Sequence, residues 1–199
     1  MNRLFEGHRA QFPKWTSLLY RGYSILCHGL GSKKKLLEEF HQQLVEKDCV
    51  VVNGFFPFLT IKQILKTITE DILEISGNFS STSEHLEEIF SCITTDLFLI
   101  IHNIDGQQLR TRMVQSVICR LLSHPRIHLV CSIDHLNAPL LWDQQCMSNL
   151  NPIWFDCTTF LPYTEEGVGG DKKTELSSLG SVWPSLTPNA RKIFIIIIK

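Results

Sequence analysis

Short apolar runs alternate with amphipathic segments along most of this 199-residue chain. Tyr23-Ser24-Ile25-Leu26-Cys27-His28 reads as a strand, closed by Gly29-Leu30-Gly31. Residues 33–45 read as a helix with Leu36, Leu37, Phe40 and Leu44 on one face. Cys49-Val50-Val51-Val52-Asn53 is a second strand, stopped by Gly54. Thr60 and Gln63 have the spacing of a capping box. Ile61, Ile64, Leu65, Ile68 and Ile72 then make the apolar stripe of the helix that follows. Residues 77–83 form a polar linker before a short helix over 84–94. Leu97-Phe98-Leu99-Ile100-Ile101 has no polar alternation, which predicts a strand buried on both faces. Asp105, with Gln108 three residues on, is expected to cap a helix whose inner face carries Leu109, Met113, Val117 and Leu121. A fourth strand covers Ile127-His128-Leu129-Val130-Cys131-Ser132, and a fifth falls within 151–159. Strands separated by helices predict an α/β fold, a parallel sheet flanked by helices.

The division of the chain follows from the same pattern. Residues 1–20 stand as an N-terminal extension, 21–165 as the sheet domain, and 166–184, rich in Gly, Lys and Ser, as a flexible linker. Residues 185–199 start a further element. There Thr187-Pro188 places Pro at the first helical position. Six apolar residues, Ile193-Phe194-Ile195-Ile196-Ile197-Ile198, need covering. They are either a last core element or the start of another domain.

Composition narrows the function classes. Apolar residues are 44%, charged residues 20%, and the formal net charge is −1, so no global positive field draws the chain to nucleic acid. No apolar run approaches the ~20 residues that span a bilayer. The first six residues lack the apolar core of a secretory signal, so none is expected. Seven scattered cysteines, without a Cys-x-x-Cys pair, fit a reducing compartment. Eight histidines show no ligand spacing, and no metal site is expected.

In a parallel α/β sheet, phosphate binds at the loop after the first strand. A working phosphate loop reads G-x-x-x-x-G-K-[ST]. Here the loop is His28-Gly29-Leu30-Gly31-Ser32-Lys33-Lys34-Lys35. Five residues after Gly29 stands Lys34, and no hydroxyl follows the lysines to hold Mg²⁺. Gly29, Gly31, Ser32 and Lys33 are therefore a degenerate loop. A working site also needs an acidic pair at the end of a buried strand. His102 and Asn103 stand there instead, with Asp105 beyond them. Ser132, Asp134 and His135 are close in sequence, which does not make a triad. Asp134-His135 is expected to lie in a turn. Lys33, Lys34 and Lys35 are either a solvated first helical turn or a contact for DNA phosphates. Arg110 and Arg112 are a weaker basic pair. Phe55, Phe56 and Phe58 around Pro57 are either a core corner or anchors for a partner.

Five blocks resemble one family in order. They are Ile25-Leu26-Cys27-His28-Gly29-Leu30-Gly31-Ser32-Lys33, Val52-Asn53-Gly54-Phe55-Phe56-Pro57, Leu99-Ile100-Ile101-His102-Asn103-Ile104-Asp105, the run Ser132-Ile133-Asp134-His135-Leu136-Asn137-Ala138-Pro139-Leu140-Leu141-Trp142-Asp143, and Leu186-Thr187-Pro188-Asn189-Ala190-Arg191. They are similar to the origin recognition complex subunit 2 family. The resemblance implies an AAA+-like (RecA-like) core without a competent nucleotide site, in a ring of related subunits, followed by a winged-helix domain that looks truncated here. It implies no cofactor and no enzymatic activity. It also implies partnership with the other origin recognition complex subunits, above all subunit 3, with origin DNA and with chromatin, in the nucleus, and a part in loading the replicative helicase. The alternative is a weak nucleotide-binding regulator that keeps ATP or ADP through Gly29, Gly31 and Lys33.

Overall fold

The strands form one parallel sheet in the computed structural model, which describes residues 2–44, 46–75, 77, 79–164 and 166. They are β1 (Ser24–His28), β2 (Asp48–Asn53), β3 (Leu97–His102), β4 (Ile127–Ser132) and β5 (Pro152–Asp156), in the spatial order β2-β3-β4-β1-β5. The helices are α1 (Asn2–Arg9), α2 (Phe12–Leu19), α3 (Lys34–Gln42), α4 (Ile61–Thr67), α5 (Thr82–Cys92), α6 (Arg112–Leu121) and α7 (Gln144–Leu150). A π-helical turn, Ile68–Ile72, extends α4, and a 3-10 turn, Ala138–Leu141, precedes α7.

Every residue of β3 and β4 is buried, as unbroken apolar runs require. The period of two sorts their side chains between two cores. Leu97, Leu99 and Ile101 meet Ile64, Leu86, Ile118 and Leu150 from α4 to α7. Phe98 and Ile100 face the other way, toward Phe12, Trp15, Leu36 and Phe40 from α2 and α3. The expected capping box is present: Thr60 accepts from the Gln63 amide, and the Gln63 side chain accepts from the Thr60 amide at 2.8 Å.

Two expectations change. Residues 2–19 are not an appendage. They form two helices, and Phe5, Phe12, Trp15 and Leu19 are buried in the core, so residues 1–163 make one unit. The Phe12, Trp15, Leu19 spacing of i, i+3, i+7 carried that signal in the sequence. The helix after β3 also starts later than expected, at Arg112, and Met113 is exposed. Its buried face is Gln115, Ile118, Cys119 and Leu121. Gln115 sets this register. Its side-chain amide donates to the carbonyls of Ile104 (2.9 Å) and Leu109 (3.0 Å), and its oxygen accepts from Trp142 Nε1 (2.6 Å). Apart from Glu166, the linker at 166–184 and the winged-helix start at 185–199 lie outside the described residues.

The sheet order creates a switch point. From β1 the chain travels over β4 and β3 to the edge strand β2, whereas from β4 it crosses β1 to reach β5. The loops leaving adjacent β1 and β4 thus depart in opposite directions. The crevice between such loops is where open α/β sheets bind ligands.

Candidate functional site

The glycine turn sits in that crevice, with the chain after β5 packed against it and a cavity of about 600 Å³ beside it, lined among others by His28, Gly29, Leu30, Asp134, Trp154 and Tyr163. Gly29 (φ +119°) and Gly31 (φ +96°) adopt backbone that side chains disfavour. The chain after β5 lies against both. A Cβ on Gly31 would stand 2.6 Å from the Phe160 nitrogen, and one on Gly29 would stand 2.5 Å from Thr158 Oγ1. The Ser32 amide donates to the Leu161 carbonyl (3.0 Å), and the Gly31 amide donates to Tyr163 Oη (3.1 Å). The Leu30 amide reaches Thr158 Oγ1 at 3.4 Å, and the Lys34 amide reaches Ser32 Oγ at 3.3 Å. In return, the Thr159 and Phe160 amides donate to the Leu30 carbonyl at 3.0 and 3.1 Å. Amides that would cradle a phosphate thus already have acceptors.

Lys33 is turned inward. It is fully buried, and its ammonium donates to the carbonyls of Gly29 (2.9 Å) and Gly31 (3.0 Å) and to the Asp134 carboxylate. A buried ammonium persists only when its protons are matched in this way. Asp134 collects two further donors around that charge. Asn103 Nδ2 donates to one oxygen, and Tyr163 Oη donates to the other at 3.2 Å. The three ends of β1, β3 and β4 therefore meet at one carboxylate.

The remaining sequence candidates find other roles. Asp105 does not cap the next helix. Its carboxylate accepts from the Asp134 amide (3.0 Å) and the His135 amide (2.6 Å), so it braces the loop after β4. Two aligned amides from a tight loop outcompete a helix that starts seven residues later. Asn103 takes left-handed backbone (φ +53°), and its amide donates to Ser132 Oγ (2.9 Å). His135 Nδ1 accepts from the Asn137 amide (3.1 Å). Ser132, Asp134 and His135 thus serve separate partners, without the serine–histidine hydrogen bond a nucleophile needs.

Of the lysine run, Lys35 is exposed and Lys34 half-buried, with Lys34 Nζ 5.9 Å from the Phe55 ring centre. Lys33 is removed from any DNA surface by its burial. Phe55 and Phe56 pack together at 4.8 Å, and Phe56 and Phe58 are exposed, Phe58 at 87%. Phe56 and Phe58 therefore lie outside the core, while Phe55 is half-buried. Arg110 and Arg112 are exposed, and Arg112 pairs with Asp143 at 3.6 Å. Among the described residues no cluster of His, Cys, Asp and Glu is arranged to hold a metal, and the cysteines are free thiols. Sequence reasoning missed Tyr163 and the partners of Lys33. Residues 101 and 130 positions apart in the chain leave no local signal.

Buried His102 carries a pH dependence. Its Nδ1 has no hydrogen-bond partner among the described residues, and burial, then the charges of Lys34 and His41, push its pKa down to about 4. The unfolded chain takes up a proton near pH 6.5, while the folded chain resists it until about 4. Stability is therefore unaffected above about pH 6.5 and falls with acid below it, by on the order of 3 kcal/mol from this group. Denaturant midpoints at pH 7.5 and 5 should converge in a His102→Leu variant. An unchanged fall would assign the acid sensitivity elsewhere.

The fold and site define a class: a RecA-like α/β domain of the P-loop type whose glycine-turn amides are taken up by its own chain and whose lysine is buried. Residues 1–157 match the model of the origin recognition complex subunit 2 RecA-like domain. The chain is 46% identical over its full length to origin recognition complex subunit 2 of Drosophila melanogaster, covering 34% of that protein. It is 42% identical to the Homo sapiens protein of the same name, covering 37% of it. It thus spans about a third of the length of these relatives. A chain in the structure of Drosophila ORC bound to AT-rich DNA and Cdc6 superposes with a TM-score of 0.81 at 46% identity, over 99% of this chain and 69% of that one. The Aeropyrum pernix ORC1 protein shares the fold alone, at a TM-score of 0.57 and 17% identity over 78% of this chain and 45% of that one. This chain belongs to the origin recognition complex subunit 2 family.

Proposed function

We propose that this chain acts as a non-catalytic subunit of an origin recognition complex. It contributes an AAA+-like domain to a ring of related subunits that binds origin DNA on chromatin in the nucleus and helps load the replicative helicase. Within it the chain pairs closely with subunit 3. The observation that carries the reading is the closed glycine turn. A subunit that neither holds nor hydrolyses ATP has no use for free loop amides, and here they are committed to residues 158–163 and to Ser32. Lys33 is likewise held by Gly29, Gly31 and Asp134.

Exposed Phe56 and Phe58, beside Phe55, serve as partner anchors, since aromatic side chains dominate interface energy. Lys34, half-buried and paired with Glu38 at 3.6 Å, and exposed Lys35 are the members of the lysine run at the surface, and they serve phosphate contact.

The test is co-expression of the tagged chain with the other subunits. The wild-type chain should recover subunit 3, and a Phe56→Ser, Phe58→Ser double variant should recover much less. Titration with Mg-ATP should release no binding heat. A folded chain that recovers no subunit, or that binds ATP tightly, would overturn the reading.

A further inference from the structure

The segment after β5 does more than pack against the glycine turn. Residues 157–163 run across the glycine turn, with contacts at both ends and in the middle. The Cys157 amide donates to the His28 carbonyl (2.7 Å), at the start. Thr159 Oγ1 is buried and donates to the Ser32 carbonyl (2.7 Å), while the Ser32 amide donates to the Leu161 carbonyl. Tyr163 closes the far end. Its hydroxyl accepts from the Gly31 amide and donates to Asp134, the carboxylate that also holds Lys33 and Asn103. Its ring lies over the Lys33 ammonium, 5.9 Å from ring centre to Nζ.

A bound phosphate organises a glycine-rich loop by accepting from its amides and drawing a lysine to its charge. Here the acceptors for those amides are a carbonyl and two hydroxyls of the chain after β5, with Ser32 Oγ taking the Lys34 amide. The anion that draws the lysine is Asp134. We propose that residues 157–163 are a built-in strap that takes the place of the ligand, with Tyr163 as its latch. The turn is thereby held in one conformation whether or not nucleotide is present. The point where the chain leaves the sheet domain is tied to the ends of β1, β3 and β4 at the same time. This property belongs to the isolated chain and does not depend on its assembling with any subunit.

Three observations exclude a merely incidental contact. The strap's bonds are reciprocal, since Leu30 and Ser32 carbonyls accept from strap groups while Ser32, Gly31 and Leu30 amides donate to them. Gly29 and Gly31 have no room for a Cβ because the strap lies there, so the turn and the strap fit as a pair. The latch group is a hydroxyl that both accepts and donates, which a phenylalanine of the same shape would not do.

Hydrogen exchange measured by mass spectrometry on the intact wild-type chain and a Tyr163→Phe variant tests this. Peptides covering residues 29–34 and 157–163 should exchange about fivefold to tenfold faster in the variant, the change expected when one or two hydrogen bonds are lost. Peptides from β2 and α5 should exchange as in wild type, which shows that the variant is folded. A Thr159→Val variant should loosen the same two segments. Pyrophosphate or Mg-ATP at millimolar concentration should leave the wild-type exchange unchanged. Equal exchange in wild type and Tyr163→Phe, or protection of residues 29–34 by pyrophosphate, would overturn the proposal. Loss of subunit copurification with this exchange pattern intact would instead count against the assembly reading alone.

Discussion

Replacing Lys33 with methionine will destabilise the domain by about 3–5 kcal/mol, the range found when one partner of a buried ion pair is removed. The side chain is fully buried and matches three acceptors, two carbonyls and the Asp134 carboxylate. Methionine fills most of the same volume, so the loss will come from stranded polar groups rather than from a cavity. Asp134→Asn should cost less. An amide still accepts from Lys33 and Tyr163, and the carboxylate side chain is 23% exposed, so part of its charge is already solvated. The double variant should lose less than the sum of the two, because the groups act on each other. Urea midpoints at pH 7.5 measure all three. A Lys33→Met variant as stable as wild type would mean that the ammonium makes no net contribution where it lies.

Trp15→Ala should cost a similar amount, about 3–5 kcal/mol, by a different route. Trp15 is fully buried, with ring centres 5.3 Å from Phe12, 5.4 Å from Phe40 and 5.5 Å from Phe155. Its loss opens a cavity between α2, α3 and β5. The indole Nε1 has no partner among the described residues, so no hydrogen bond is lost with the ring. Trp15→Phe should recover much of the stability. A domain of this size has roughly 5–15 kcal/mol in total, so Trp15→Ala should lower the urea midpoint sharply at an unchanged slope. A change near zero would show that α2 is a detachable cover rather than part of the core.

Both predictions concern side chains whose partners come from distant segments, and both mark where the sequence ceased to be legible. The helix and strand pattern was readable because burial of one face imposes a period of 3.6 or 2 on neighbouring residues. Residues 97–101 announced a strand buried on both faces, and Thr60 with Gln63 announced a cap, because each signal is local. The defects of the glycine loop were local too. Without a hydroxyl after the lysines or an acidic pair at His102 and Asn103, ATP chemistry had no support. The register of α6 was misjudged because Gln115, a polar residue, turned inward to bind Ile104, Leu109 and Trp142. Asp105 looked like a cap because a carboxylate before a helix usually is one. Its true partners, the amides of Asp134 and His135, lie on another loop.

By itself, then, the sequence determined the α/β class, the parallel sheet with its two covered faces, and the loss of a working phosphate loop. These follow from periodicity and from residue types at fixed spacing. Only the tertiary structure decided what replaces the ligand. Lys33 reads as a surface cation until β4 brings Asp134 against it, and Gly31 reads as a flexible turn until residues 157–163 close over it. The reason is physical. Whether a polar group is solvated or buried, and which acceptor its proton meets, depends on which strands are neighbours, and the order β2-β3-β4-β1-β5 makes neighbours of segments more than a hundred residues apart.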